Sequence, residues 1–146
     1  MHRLLRQQTS ITLDLAMQAL QAALAQAATD GVRISIVIVD ASAQPIHSAH
    51  MDGAPAQCRD IALGKARSAA GFGCATGDWQ ERLERSSPAV RQGLPLQAGL
   101  VLFGGGEPFR LGSEVLGAIG VSGASEQVDV RCARAAVERV QSLLDS

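Results

Sequence analysis

The first regular pattern in the chain is a repeat of apolar residues at intervals of three and four, the spacing of one face of an α-helix. Thr12 precedes the repeat as an N-cap, and Asp30-Gly31 follows it, where glycine readily adopts the left-handed conformation that ends many helices. The pattern therefore predicts an amphipathic first helix. Its apolar positions are Leu13, Ala16, Met17, Leu20, Ala23, Leu24 and Ala27.

The next segment has the pattern of two strands joined by a turn. β-Branched residues between Arg33 and Val39 fall on both faces of an extended chain, which is typical of a strand covered on both sides. Asp40 to Gln44 supplies turn residues, and Pro45 to Met51 forms a second strand with its proline at the first position, where prolines are tolerated. We expect a hairpin whose first strand lies between layers of helices.

The rest of the chain alternates between helical and extended patterns. Helical spacing runs from Cys58 to Phe72 and from about Ser125 to Leu144, and Trp79 to Arg85 predicts a short surface helix followed by a loop to Leu96. Three short strands follow, the first two joined by a turn of three glycines. They run from Leu100 to Phe103, Glu107 to Arg110 and Val115 to Val121. This order predicts an α+β fold with a five-stranded, mainly antiparallel sheet between helical layers.

Composition fits one globular domain and disfavours several partners. The 146 residues suit a single domain, residues 1–146, and 47% apolar against 18% charged residues is enough for a core. A net charge of −1 and an aromatic content of 3% argue against nucleic acid as a partner. The chain lacks the apolar run of a membrane span or a secretory signal, and its three cysteines lack CxxC spacing, so we expect a cytoplasmic protein with free thiols.

Three motifs resemble functional sites, but a structural explanation is simpler for each of them. GFGCATG, residues 71–77, leaves a helix, so we interpret it as a helix C-terminus and not as a dinucleotide loop. GVSGA, residues 120–124, lacks the second glycine of a nucleophile elbow, and all three histidines precede Ser122, so it predicts a strand-to-helix turn. HSAH, residues 47–50, lies on a predicted strand, where residues three apart face opposite sides, so we expect no metal site there.

Lys65 is the only lysine in the chain, and it lies on the apolar stripe of its predicted helix with Ile61 and Ala69. Two interpretations of this inward lysine stay open. In one, the stem packs inward while the ammonium reaches the surface or pairs with a carboxylate. In the other, a partly desolvated ammonium binds an anionic ligand or acts as an acid or base. Its neighbour Cys58 is interpreted as a small core residue.

GGGEP, residues 104–108, presents consecutive backbone N–H groups without side chains. Such a run can hold a carboxylate or phosphate, and it can equally form a hairpin turn. Together with the inward lysine and the polar end of the second strand, it predicts one ligand pocket. The predicted pocket residues are His50, Met51, Asp52, Lys65, Gly105, Gly106 and Pro108.

Five segments follow one another along the chain: Val37 to Asp40, MDGA at 51–54, IALGKARSAA at 61–70, GGGEP at 104–108, and LGAIGVSGA at 116–124 followed by Asp129. In this order they resemble the GlcG/HbpS family, which includes the C-terminal domain of PduO-type proteins. Family members usually carry arginine before MDGA and often serine at the position of Cys58, so His50 and Cys58 depart from the family pattern. An imidazole in place of a guanidinium weakens bidentate carboxylate recognition and introduces an iron ligand or a general base.

The resemblance implies a profilin-like or PAS-like α/β/α sandwich, assembly into homo-oligomers from dimers to octamers, and a small-molecule pocket near the glycine turn. One hypothesis is a binding protein for haem or a related planar anionic cofactor, with His50 or Met51 as iron ligand and Lys65 neutralising a carboxylate. The alternative is an enzyme for proton transfer, isomerisation or deamination. In that hypothesis Lys65 and the Gly105-Gly106 backbone hold a small carboxylated metabolite while His50 moves the proton. We favour binding.

Overall fold

The computed structural model describes residues 2–146, which form five α-helices and one four-stranded antiparallel sheet, confirming the α+β class. The helices are α1 (Leu13–Asp30), α2 (Cys58–Phe72), α3 (Trp79–Glu84), α4 (Pro88–Gly93) and α5 (Glu126–Leu144). The strands are β1 (Ser35–Asp40), β2 (Pro45–His50), β3 (Gly106–Leu111) and β4 (Glu114–Ser122). The strands lie in the order β2-β1-β4-β3.

The sheet lies between two helical layers, with α2 on one face and α1 and α5 on the other. β1 contacts both layers, because Ile36 and Ile38 are buried toward α1 and α5 while Val37 and Val39 are buried toward α2. The β-branched residues on both faces of this strand predicted that helices would cover it on both sides, and this prediction is confirmed. Among residues 2–146, no helix has the length and apolar character needed to cross a bilayer.

Local sequence signals begin and end the long helices. Thr12 Oγ1 accepts a hydrogen bond from the Leu15 N–H at 3.1 Å, and Gly31 ends α1 with a φ of +66°. Ser125 Oγ accepts from the Val128 N–H at 3.3 Å at the start of α5. These hydroxyls satisfy amides that have no partner within the helix. The predicted cap of α1 is therefore confirmed, and the structure adds the cap of α5.

The predicted strand at Leu100–Phe103 is wrong, and the sheet has four strands, not five. Instead of pairing with a strand, the Val101 N–H donates to Ser68 Oγ on α2 at 3.0 Å, so this segment packs on a helix. The three glycines consequently form no hairpin turn. Gly104 and Gly105 end the irregular segment that precedes β3, and Gly106 is the first residue of that strand. The predicted loop before Leu96 is also wrong in part, since it contains α4.

Glycine at position 120 allows α2 to pack directly on the sheet. A Cβ on Gly120 would lie 1.9 Å from the carbonyl oxygen of Ala62 and 2.6 Å from the backbone nitrogen of Ala66. Both atoms belong to the backbone of α2, so relief of the clash would require the whole helix to shift. The small residues at these three positions set the distance between α2 and the sheet.

The substitution Gly120→Ala should lower the free energy of unfolding by about 3 kcal/mol or more, because overpacking a contact between two backbones forces them apart. Gly71→Ala is the matched control, since no atom lies within 4 Å of its Cβ position and alanine is preferred over glycine in a helix by roughly 0.5–1 kcal/mol. Urea denaturation followed by circular dichroism measures both variants. A Gly120→Ala protein as stable as the parent would contradict this account.

Candidate functional site

A groove of about 530 Å³ opens beside the end of β2. It combines aliphatic side chains with a guanidinium, an imidazole and a carboxylate. Concave surfaces of this size with a few polar groups are typical of small-molecule sites. The groove is lined by Leu24, Arg33, Ala49, His50, Met51 and Asp52.

The imidazole of His50 has one bonded nitrogen and one free nitrogen. Its Nε2 lies 3.0 Å from the carbonyl oxygen of Ala54, and since a carbonyl only accepts, Nε2 carries the proton in this contact. Nδ1 is then a lone-pair acceptor, buried and without a hydrogen-bond partner among residues 2–146. His47 pairs with Ile38 and His50 with Ser35, so the two histidines face opposite sides of the sheet, as the strand pattern predicts.

Arg33 adds a cation to the groove that the sequence motifs did not indicate. Its guanidinium donates to the carbonyl oxygen of Asp52 and lies beside Gly53, where a Cβ would be 3.0 Å from Nη1. The register of the hairpin contains a signal for this contact. Extending the β1–β2 pairing two residues beyond Ser35 puts Arg33 opposite Asp52.

The thioether of Met51 turns toward the neighbouring strand. The Ile34 N–H lies 3.4 Å from Met51 Sδ, and the Met51 N–H donates to the Ile34 carbonyl oxygen at 3.0 Å. Because the sulfur is engaged with the backbone, Met51 contributes to the groove mainly as an apolar wall.

Lys65 lies in a second cluster, inside the fold. Its side chain is 1% exposed, and Nζ donates to the carbonyl oxygen of Val121 at 2.8 Å and to Asp129 Oδ2 at 3.2 Å. The Phe103 ring also faces the ammonium, with its centroid 5.0 Å from Nζ. Burial lowers the pKa of Lys65, and the negative charge of Asp129 opposes that shift. The predicted inward orientation is confirmed, and the anionic partner belongs to the protein itself.

Asp129, in the first turn of α5, is held from two sides. Its Oδ1 accepts a hydrogen bond from the Ala124 N–H at 2.9 Å, and its Oδ2 faces Lys65. Burial raises the pKa of Asp129, and the Lys65 ammonium opposes the rise. Burial thus disfavours the charged form of both partners, so the ion pair depends on its close geometry and on its additional hydrogen bonds.

Side chains of the protein bind the amides of the glycine run. The Gly104 N–H donates to Glu126 Oε2 at 2.6 Å, and the Gly106 N–H donates to Thr76 Oγ1 at 2.8 Å. Gly105 lies so close to the lysine that a Cβ there would be 2.6 Å from its Nζ. The run does hold a carboxylate, but that carboxylate is Glu126.

The structure divides the predicted pocket residues between two regions. Three lie at the groove: His50, Met51 and Asp52. Four lie around the buried ion pair or in β3: Lys65, Gly105, Gly106 and Pro108. The groove lies at the end of β2, whereas the lysine binds the Val121 carbonyl of β4. Because β1 lies between these two strands, about 10 Å of sheet separates the two regions.

Comparison with known proteins identifies relatives over nearly the whole chain. A family model described as haem degrading protein HbpS-like matches residues 11–138. An uncharacterized 15.0 kDa protein of Citrobacter freundii, from the dhaT-dhaS intergenic region, is 31% identical. That similarity spans 91% of this chain and 94% of the Citrobacter protein.

Solved structures share the same fold. Klebsiella pneumoniae protein ORFY has 28% identity and a TM-score of 0.88, with 97% of each chain covered. A double mutant of Streptomyces reticuli HbpS has 29% identity and a TM-score of 0.84, with 94% of this chain and 92% of that chain covered. The complex of PduOC with haem, at 24% identity and a TM-score of 0.82, covers 90% of this chain and 95% of that chain and shows the fold alone. From the extent of the family match and the Citrobacter relative, this chain belongs to the HbpS-like family.

Proposed function

We propose that the groove at the end of β2 binds haem or a related planar tetrapyrrole with carboxylate side chains. The observation that carries the proposal is the free Nδ1 of His50, an imidazole lone pair beside a groove that also contains Arg33. Imidazole is a common axial ligand of haem iron. A guanidinium binds a carboxylate through paired, charge-assisted hydrogen bonds.

The other residues of the groove fit such a ligand. Its volume of about 530 Å³ lies within the usual range of small-molecule sites. Leu24, Ala49 and Met51 offer aliphatic surface to a macrocycle. Arg33 now donates to a neutral carbonyl, so a propionate would give it a charged acceptor and a stronger hydrogen bond.

His50 is a better iron ligand than Met51 in this groove. The Met51 sulfur is already approached by the Ile34 N–H at 3.4 Å, whereas His50 Nδ1 has no partner in residues 2–146. Because Nδ1 is enclosed, iron ligation requires the imidazole to turn outward and to give up its 3.0 Å contact with Ala54. Bound haem would supply a redox-active iron at this position.

The relatives support haem as the first ligand to test. The family model is described as haem degrading, and PduOC, which shares the fold, has been solved in complex with haem. The chemistry of the groove adds an argument from this chain itself, because imidazole, guanidinium and aliphatic surface lie together there.

We assign Lys65 a structural role and propose no catalysis by it. The enzymatic hypothesis needs Lys65 and His50 to contact one substrate. Lys65 is 1% exposed, its ammonium is held by two acceptors, and β1 lies between its partner strand and the strand of His50. A ligand in the groove would therefore meet Arg33 as its cation.

Haemin titration tests the proposed site. His50→Ala should remove the iron-ligand contribution and weaken haemin binding at least tenfold, with a changed Soret band. Arg33→Gln should weaken binding about tenfold or more, since hydrogen bonds to charged groups contribute roughly 1.5–3 kcal/mol. Absorbance titration measures haemin affinity. Fluorescence titration with protoporphyrin IX, which has the carboxylates but no iron, isolates the carboxylate contribution. Arg33→Gln should weaken protoporphyrin binding as well, whereas His50→Ala should leave it unchanged.

His47→Ala is the matched control for the histidine, because His47 lies on the same strand, faces the opposite side from His50 and does not line the groove. Its haemin affinity should equal that of the parent. The proposal fails if haemin produces no saturable spectral change, or if the His50 and His47 variants bind haemin equally well.

The structural role of Lys65 is tested by a double-mutant cycle. Lys65→Met and Asp129→Leu should each lower the free energy of unfolding by about 3–5 kcal/mol, because each leaves one buried charge without its partner. The double variant should lose much less than the sum, since both charges are gone. Urea denaturation gives the stabilities. Additive losses, or a double variant that folds but no longer binds haemin, would contradict a purely structural role.

Assembly into homo-oligomers remains a prediction. An apolar surface on the segment around α4 supports it, because Leu96 is 82% exposed, Val90 is 43% exposed and no residue of α4 is buried. Light scattering after gel filtration should give a mass above that of one chain, and Leu96→Glu should reduce it, while the control Gln80→Glu should not. A monomeric parent protein would refute the prediction.

A further inference from the structure

A second cleft, of about 390 Å³, lies between β3 and α5 and shares no residue with the groove at β2. It contains two carboxylates, two guanidinium groups and small apolar side chains. The residues that matter here are Ala75, Asp78, Glu107, Arg110, Arg134 and Val137. None of them has a role in the proposed haem site.

Glu107 is the unusual group of this cleft. Its side chain is 12% exposed, yet its ion pair with Arg134 is long, at 3.7 Å, and the Arg134 side chain is 64% exposed. An ion pair of this length, with its guanidinium exposed to solvent, contributes little to stability. Burial raises the pKa of Glu107, Arg134 opposes that rise, and the negative charge of Asp78 adds to it. The Glu107 carboxylate is therefore buried without a close cation that would neutralise its charge.

Charges in the cleft are ordered from inside to outside. Glu107 is the inner group, and Ala75 and Val137 line the cleft beside it with apolar surface. Arg110 and Arg134 are exposed at the mouth, which makes the outer part of the cleft positive. An inner anion and outer cations are complementary to a ligand that carries an ammonium and a carboxylate on one short skeleton.

We propose that this cleft binds a free α-amino acid with a small aliphatic side chain. The ligand's ammonium pairs with Glu107 and displaces Arg134, whose guanidinium then pairs with the ligand's carboxylate. One long ion pair is replaced by two close ones, and the net charge of the cleft stays the same. The apolar surface of Ala75 and Val137 accommodates the aliphatic side chain.

Simpler ligands satisfy only half of this arrangement. An amine without a carboxylate would displace Arg134 without giving it a new acceptor. A carboxylate without an amine would face the like charges of Glu107 and Asp78. Three probes with the same branched carbon skeleton therefore separate the contributions: L-valine, isobutylamine and isovalerate.

Amide NMR titration of ¹⁵N-labelled protein is the test. L-valine should shift signals of β3 and α5 saturably at millimolar concentration, isobutylamine should bind at least tenfold more weakly, and isovalerate should produce no saturable shift. Glu107→Gln should weaken L-valine binding at least tenfold. Arg134→Met should remove the preference for L-valine over isobutylamine, because the amine no longer has to displace a guanidinium from Glu107 and the ligand's carboxylate loses its partner.

Glu138→Gln is the matched control, because Glu138 is an exposed carboxylate on α5 that does not line this cleft, and it should leave L-valine binding unchanged. The same spectra report whether each variant is folded. Absence of saturable shifts with L-valine, or equal affinities of the Glu107 and Glu138 variants, would overturn the proposal. Isobutylamine binding as tightly as L-valine would also overturn it, in favour of a simple cation site. The titration uses no haem, so its outcome is independent of the groove at β2.

Discussion

The arrangement of this fold depends on the buried ion pair between Lys65 and Asp129, which joins the two helical layers across the sheet. The lysine extends from α2 and the aspartate from α5, and they meet at the carbonyl oxygen of Val121 on β4. Breaking a buried ion pair leaves an uncompensated charge, so both helices and the strand must keep their relative positions. Because Gly105 has no side chain, it leaves the space that the Lys65 ammonium occupies, and the Phe103 ring faces that ammonium.

Small residues make this arrangement possible elsewhere in the core. The backbone of α2 approaches Gly120 so closely that no side chain fits between helix and strand, and Ala62 and Ala66 supply the facing surface. The low aromatic content of the chain is consistent with such thin layers, because close backbone approach leaves little volume for large rings. Small residues thus set the spacing between α2 and the sheet, while Ile36, Ile38 and Phe109 fill the core on the other face.

The ion pair also decides where ligand chemistry can occur. It occupies the lysine and lies against the glycine run, and other side chains bind the Gly104 and Gly106 amides, so those anion-binding groups serve the protein itself. The groups left available lie at the sheet's edge, in the groove with His50 and Arg33, and in the cleft of Glu107 between β3 and α5. The two surfaces share no residue, so a ligand at one is free to bind without contacting the other.

The sequence by itself determined the three long helices, the hairpin of β1 and β2, the cap at Thr12 and the family, because these depend on residue spacing, a hydroxyl side chain and motif order within short stretches. It also predicted an inward Lys65. Tertiary structure alone decided what that lysine meets, that Leu100–Phe103 packs on α2 instead of forming a fifth strand, and that Arg33 joins the groove. Those outcomes depend on groups far apart in the chain, whose hydrogen bonds and charges compete only once the layers are assembled.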